Sequence, residues 1–234
     1  LGKDRIGTGH LLTGWRQHIF ILSLGMIAAT ALPPWFLTPG IFSFAFLGFL
    51  LSKSTKSIEV ARMSWLFSFG FHLVGIHWIS NAFLINSGQF NVFIPFVFVG
   101  LPAILALFPA AIMTIFPLIR RSSSIDIITI AVLWSISDFA RGKLFTGFPW
   151  NLMSYTVSFS ENLSQIASFV GAYGLNLLVI FVAVAPSILL KKQFYKRKYS
   201  FLILAFCCFI PLAAGFGGML RLQNGNERLD ADIT

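Results

Sequence analysis

Seven long apolar runs divide this sequence, and they limit the folds open to the chain more than any other feature. The runs have 14 to 28 residues, around the roughly 20 that a helix needs to cross the ~30 Å hydrocarbon core of a bilayer. Charged residues make up only 11% of the chain, against about 25% in a soluble domain, which is too few to cover a soluble surface. We therefore predict an all-α, polytopic membrane helix bundle of about seven transmembrane helices, with spans at 17–32, 39–52, 62–84, 92–118, 125–141, 163–190 and 200–220.

Prolines and glycines predict where these helices turn or bend. The first two spans are separated by PPWFLTPG, whose prolines and Gly40 break helix and favour a tight hairpin. In span four, Pro95, Pro102 and Pro109 are seven residues apart and share one face, which predicts a bent helix. The bend would either open a lateral cavity or serve packing alone.

The amino terminus admits two interpretations. Lys3, Arg5 and Arg16 precede an apolar stretch that ends in Ala29-Thr30-Ala31, a pattern that resembles a cleavable signal peptide. Because six further spans follow, we favour the alternative, in which the first span is an uncleaved insertion signal.

The basic residues predict the orientation of the bundle. All but four of the 17 Lys and Arg residues fall in or next to the amino-terminal segment and the loops after spans two, four and six, on one side. The positive-inside rule places that side, and with it the amino terminus, in the cytoplasm. The net charge of +9 thus reflects topology, and we expect no nucleic-acid partner. Residues 1–222 would form the transmembrane domain and residues 223–234 an extracytoplasmic tail. The four exceptions on the outer side are Arg141, Lys143, Arg221 and Arg228.

A charge pair near the outer end of span five is the first candidate for a functional site. Asp138 lies thirteen residues after Ile125, roughly 20 Å of helix rise, and therefore below the outer interface. A carboxylate at that depth is costly unless it is paired, and Arg141 is one turn away. The pair is either a charged floor for a substrate headgroup or a structural ion pair at the helix end.

An aromatic loop follows the charge pair. Gly142 predicts the helix stop, while Gly147 and Pro149 impose a loop. Its aromatic residues either belong to an interfacial belt or line a re-entrant loop beside a lipid-facing cavity. These aromatic residues are Phe145, Phe148 and Trp150.

Span three contains a group of polar and aromatic residues, His72, His77, Trp78 and Asn81. His77 and Asn81 are four residues apart and share a helical face, whereas His72 points about 140° away from His77. This spacing favours a hydrogen-bonded polar stripe inside the bundle, with ligand contact as the alternative. It does not suggest a metal pair.

Other candidates are best explained by packing. Ala167, Gly171 and Gly174 of span six form a small-residue face, and Tyr173 and Asn176 beside it are either functional or, as we favour, packing residues. The adjacent Cys207 and Cys208 suit neither a disulfide framework nor a metal site. No Ser-His-Asp set, phosphate loop or metal cluster is present in the sequence, and we expect no cofactor.

Four stretches together resemble the apolipoprotein N-acyltransferases of Gram-negative bacteria. They are FSFGFHLVGIHWISNAFL in span three, LALFPA in span four, LWSISDFARGKLFTGFPWNLMSY around span five and LSQIASFVGAYGLNLLV in span six. The resemblance covers essentially the whole chain. The span-five stretch is the most specific, because FPW is preceded by the pattern W-x-x-x-D-x-x-R-G-x-L-F-T-G.

The resemblance implies a reaction and a set of partners. The family transfers an acyl chain from a phospholipid donor to the amino group of the amino-terminal cysteine of a diacylglyceryl lipoprotein acceptor, at the bacterial inner membrane. A nitrilase-like extracytoplasmic domain carries its Glu-Lys-Cys triad and forms a thioacyl-enzyme. That domain follows span seven in the family, whereas this sequence ends at NGNERLDADIT. We therefore assign no catalytic residue and expect this chain alone to be inactive.

The resemblance also assigns roles within the membrane part. Phe148, Pro149 and Trp150 would form the mouth for lipid substrates, and the family's membrane-side tryptophan maps to Trp150. Asp138 and Arg141 would support that mouth. The weaker substrate-binding candidates are His77, Trp78 and Asn81. Two rival functions remain, a non-catalytic lipid-binding scaffold and a transporter, although neither midplane charge nor an internal repeat favours the transporter.

Overall fold

The computed structural model describes residues 14–84, 91–191 and 200–233, and the regular secondary structure in these ranges is helical. The α-helices there are α1 (Trp15–Ala29), α2 (Ser43–Leu51), α3 (Ser57–Gly75), α4 (Ile79–Leu84), α5 (Leu101–Leu105), α6 (Leu107–Met113), α7 (Phe116–Ile119), α8 (Ser123–Lys143), α9 (Glu161–Ser164), α10 (Ala167–Val184) and α11 (Ser200–Ile233).

Every predicted span coincides with one helix or a short series of helices, which confirms the all-α membrane bundle. Three segments of the described chain are long and apolar enough to cross a membrane by length and composition: Phe96–Ile119, Ala167–Ile188 and Ser200–Asn224. A shorter apolar helical segment, Thr38–Leu51, joins a 3-10 turn to α2.

Span three is broken, so the prediction of one helix over 62–84 is wrong. α3 ends at Gly75, a turn follows at residues 76–78, and α4 begins at Ile79. The side chain of Asn151 lies so close to Gly75 that a Cβ atom there would collide with its Nδ2. Because His77 lies in the turn, the prediction that His77 and Asn81 share a helical face is also wrong.

Span four is interrupted, as its prolines predicted. A π-helical turn at Phe96–Gly100 leads into α5, and α6 and α7 follow after short turns at residues 106 and 114–115. Pro102 and Pro117 each lie in the first turn of a new helix, where the missing N–H is not needed.

Two predicted boundaries shift. α8 continues through Gly142 and ends at Lys143, one residue beyond the predicted stop. α11 runs to Ile233, so no break marks the predicted domain boundary at residue 222, and that boundary stays a prediction.

The core joins α2, α3 and α8 through three aromatic rings, Phe44, Phe67 and Trp134. Each pair meets edge to face, with ring centroids 4.6 to 5.6 Å apart. α1 packs directly against the backbone of α3, since a Cβ atom at Gly25 would collide with the carbonyl oxygen of Phe67. Close approach of helices through small residues is the usual packing device inside membranes.

Gly25→Ala should therefore destabilise the bundle, by about 1–3 kcal/mol, because the neighbouring atoms are backbone and have no free rotamer. Gly217→Ala is the matched control, since a Cβ atom at Gly217 meets nothing within 4 Å. Thermal unfolding of the two variants in detergent would check this. Equal melting temperatures would contradict the close α1–α3 contact.

Candidate functional site

The carboxy-terminal end of α8 carries the buried ion pair that the sequence predicts. Nη2 of Arg141 donates to Oδ1 of Asp138 over 3.1 Å, and the side chain of Arg141 is only 1% exposed. Both residues belong to the buried side of α8, one turn apart. A guanidinium this deeply buried does not face a headgroup, so the geometry favours the structural ion pair over the charged floor.

Arg141 also holds the loop that follows α8. Its Nη1 donates to the carbonyl oxygen of Phe148 over 2.7 Å and to that of Trp150 over 2.6 Å. The main chain adds a further link, because the N–H of Phe148 donates to the carbonyl oxygen of Arg141 over 2.8 Å. One side chain thus fixes both ends of the Phe148-Pro149-Trp150 segment.

Asn176 of α10 completes this polar network, although the sequence favoured packing over a functional role for it. Its Nδ2 donates to Oδ2 of Asp138 over 3.0 Å, and its Oδ1 accepts from the N–H of Met153 over 2.7 Å. Asn176 is fully buried. An amide side chain within an apolar span was the available signal, since such a group requires hydrogen-bond partners.

The loop itself has an unusual backbone. Phe145, Thr146 and Asn151 have φ values of 56°, 83° and 57°, in the left-handed region that side chains other than glycine disfavour. Gly147, with φ 80°, lies against the carbonyl oxygen of Gly142, where a Cβ atom would collide. Such a conformation persists where surrounding contacts fix it, as the Arg141 and Asn176 hydrogen bonds do here.

Aromatic side chains cover the outer surface of this loop. The indole rings of Trp78 and Trp150 stack with centroids 4.9 Å apart and planes at 16°, and the ring of Phe148 lies 6.1 Å from Trp150. Both tryptophans remain accessible, with exposed fractions of 43% and 47%. We call Trp78, Phe148 and Trp150 the aromatic platform.

Three further residues that the sequence predicts, His77, Pro149 and Asn81, lie outside the aromatic platform. His77 stacks on Trp35 of the first hairpin, with ring centroids 5.7 Å apart, and its Nδ1 lies 2.6 Å from the carbonyl oxygen of Val74. The carbonyl oxygen of Pro149 accepts from the hydroxyl of Tyr155 over 3.4 Å. The side chain of Asn81 is exposed and makes no hydrogen bond within the described residues.

His72 and the cysteines are not part of the platform either. Nδ1 of His72 lies 2.8 Å from the carbonyl oxygen of Ser68, and the imidazole is buried in α3. Sγ of Cys207 lies against the carbonyl oxygen of Val182 at 3.5 Å. Across the described residues, no group of three or more His, Cys, Asp or Glu side chains is arranged to hold a metal ion.

Arg141→Ala should destabilise the protein by about 3–5 kcal/mol, because it leaves Asp138 as an unpaired buried carboxylate. Lys143→Ala is the matched control, since Lys143 is a solvent-facing cation on the same turn with only a distant contact to the ring of Phe139. Adding Asp138→Asn to Arg141→Ala should restore part of the loss, because a neutral amide costs less to bury than a charge. Unfolding in detergent measures the stability of the two single variants and of the double variant. Equal stability of Arg141→Ala and Lys143→Ala would contradict a stabilising role for the ion pair.

Comparison with known proteins identifies a family whose matched region contains this site. Residues 24–185 match the family described as the apolipoprotein N-acyltransferase N-terminal domain. This range includes the ion pair, the loop, Asn176 and the whole aromatic platform.

Individual relatives carry the name apolipoprotein N-acyltransferase. A protein of Rhodopseudomonas palustris is 34% identical over 194 residues, which cover 80% of this chain and 36% of the relative. A Rickettsia bellii protein is 33% identical over 90% of this chain and 41% of its own length. A Brucella suis protein is 31% identical over 88% of this chain and 40% of its own length. The chain thus spans about two fifths of the length of these curated relatives.

Proposed function

Because the chain belongs to the apolipoprotein N-acyltransferase N-terminal domain family, we propose that it is the membrane part of such an acyltransferase. The reaction would move an acyl chain from a phospholipid to the amino group of the amino-terminal cysteine of a diacylglyceryl lipoprotein. The observation that carries this proposal is the accessible aromatic platform on a loop that is fixed from beneath by Arg141.

The platform suits the handling of lipid rather than covalent chemistry. Flat, accessible indole rings are favoured at a membrane interface, where they contact apolar chains on one side and polar groups on the other. Beneath them, the charges of Asp138 and Arg141 are directed at each other and at loop carbonyl oxygens. Recognition would therefore depend on shape and apolar contact, and a nitrilase-like domain would supply the nucleophile.

A rigid platform has a specific value for this reaction. A reacting ester must be held within a fraction of an ångström of its attacking group, and groups that hold it must themselves be held. The loop meets this requirement, because its backbone is fixed by buried hydrogen bonds from two other parts of the bundle. We assign Trp150 and Phe148 to contact with the lipid substrates, Trp78 to support of Trp150, and Asp138 and Arg141 to positioning of the loop.

The proposed location is the bacterial inner membrane, with the amino terminus in the cytoplasm and the end of α11 in the periplasm. The distribution of basic residues supports this orientation. It places the aromatic platform at the periplasmic face, where lipoproteins would be acylated.

A chimeric protein tests the proposed function directly. This chain would replace the matched region of the Rhodopseudomonas palustris relative, and the rest of the relative would be retained. We expect the chimera to acylate a diacylglyceryl lipopeptide in phospholipid vesicles, with the product followed by its mass. The unmodified relative is the positive control. A chimera that inserts and folds but transfers no acyl chain would refute the proposal and favour the hypothesis of a lipid-binding scaffold.

Within that chimera, Trp150→Ala should lower kcat/KM roughly three- to tenfold, the loss expected when one stacked aromatic contact is removed. Trp150→Phe should recover part of the activity because it keeps an aromatic face. Trp15→Ala is the matched control, since Trp15 is exposed at the start of α1 and lies outside the family match. Unchanged activity for Trp150→Ala would contradict substrate contact and favour the alternative that Trp150 belongs to an aromatic belt at the membrane interface.

A further inference from the structure

A lipid-sized space lies beside the amino-terminal half of α8, whereas the aromatic platform follows the carboxy-terminal end of that helix. It is a groove of about 760 Å³ between α8, α10 and α11. Leu177 and Phe181 of α10 form its floor, Ile128 and Val132 of α8 line one side, and Phe206 of α11 lines the other. The rings of Phe181 and Phe206 meet edge to face at 5.9 Å, which closes the groove between α10 and α11.

The length of the groove matches one leaflet of a bilayer. Along α8 its lining runs from Ser122 to Val132. Ten residues of helix rise about 15 Å, half of the ~30 Å hydrocarbon core. Since α8 begins at Ser123, the groove extends from the membrane surface on that side to about the bilayer centre.

The surface end of the groove is lined by hydroxyl groups and lies next to a cation in the chain, whereas its depth is apolar. Ser122 and Ser124 line this end, and the hydroxyl of Ser124 makes no hydrogen bond within the described residues. Arg121 precedes them directly, its side chain is exposed, and its guanidinium has no ion pair among the described side chains. A hydroxyl and a cation above an apolar groove are complementary to a phosphate group above acyl chains.

The neighbouring arginine shows that this arrangement is specific to Arg121. The guanidinium of Arg120 turns inward, where Nη1 donates to the carbonyl oxygen of Ser54 over 2.8 Å and Nη2 to that of Ser52 over 2.7 Å. The guanidinium of Arg120 therefore serves the chain that leaves α2, whereas that of Arg121 makes no such bond within the described residues.

We infer that this groove is a binding site for an anionic phospholipid of the leaflet on the side of Arg121, which the charge distribution predicts to be cytoplasmic. The phosphate lies at Arg121 and Ser124, and the acyl chains lie along Ile128, Val132 and Phe206. The groove shares no residue with the aromatic platform, so this lipid is not the acyl donor that the proposed function requires. It would brace α11 against α8 and α10.

Lipid retention by the purified chain tests the site. The chain in detergent would be titrated with dipalmitoyl phosphatidylglycerol, and native mass spectrometry would count the bound lipid. We expect one tightly held phosphatidylglycerol per chain. Arg121→Gln should weaken it by about tenfold, the effect of losing one charge-assisted contact. Ile128→Trp should abolish it by filling the groove.

Matched controls and two further probes separate the alternatives. Arg62→Gln removes another exposed cation, and Ile136→Trp enlarges an exposed position on α8 outside the groove, so both should retain the lipid to within about twofold. Dipalmitoylglycerol, which lacks phosphate, and glycerol 3-phosphate, which lacks acyl chains, should each bind at least about tenfold more weakly.

Equal retention by Arg121→Gln and Arg62→Gln, or by Ile128→Trp and Ile136→Trp, would overturn the inference. Equal affinity for glycerol 3-phosphate would mean a free-phosphate site instead. Acyl transfer is not measured in this experiment, so its outcome is independent of the proposed function.

Discussion

The guanidinium of Arg141 is the group on which the loop after α8 depends. After α8 the chain leaves helical geometry, and the carbonyl oxygens of Phe148 and Trp150 lose the partners that a helix would give them. Inside a membrane such groups need a donor from the protein itself, because water is scarce there. Arg141 supplies it, but a buried cation then requires an anion, and the second oxygen of that anion requires a donor. Asp138 and Asn176 meet these two requirements in turn.

As a result, the polar groups of the site are buried and its aromatic rings are accessible. The charges and the amide lie inside, where they fix a backbone with three non-glycine residues at positive φ. The indole rings lie outside, where a lipid could reach them. In sites that bind charged ligands the arrangement is reversed, with the charge exposed to the ligand. A site of the present kind can instead hold a flexible acyl chain against a rigid surface, and its precision comes from the loop beneath.

Local sequence patterns predicted the helices, the ion pair and the loop. They did not predict the contacts between residues that are distant in sequence. The apolar runs predicted the helices, and the spacing and depth of Asp138 and Arg141 predicted their pairing, because both depend on helix geometry alone. Gly147 and Pro149 predicted the loop because both residues interrupt helices through their own backbone geometry. The stacking of Trp78 on Trp150 and the bond from Asn176 to Asp138 depend on how three helices pack. The break after Gly75 was missed as well, although glycine often ends a helix; the packing of Asn151 against Gly75 joins residues distant in sequence.

Arginine performs the same physical task at both ends of the bundle. Arg120 donates to the carbonyl oxygens of Ser52 and Ser54 where the chain leaves α2, as Arg141 does for the loop after α8. A planar fork of N–H donors can serve two carbonyl oxygens at fixed directions, which the compact ammonium group of lysine does less well. Some cations that contribute to the charge asymmetry of the sequence are thus bound to the backbone of their own chain. The guanidinium of Arg121 makes no such bond within the described residues, and this difference from Arg120 is not visible in a count of basic residues.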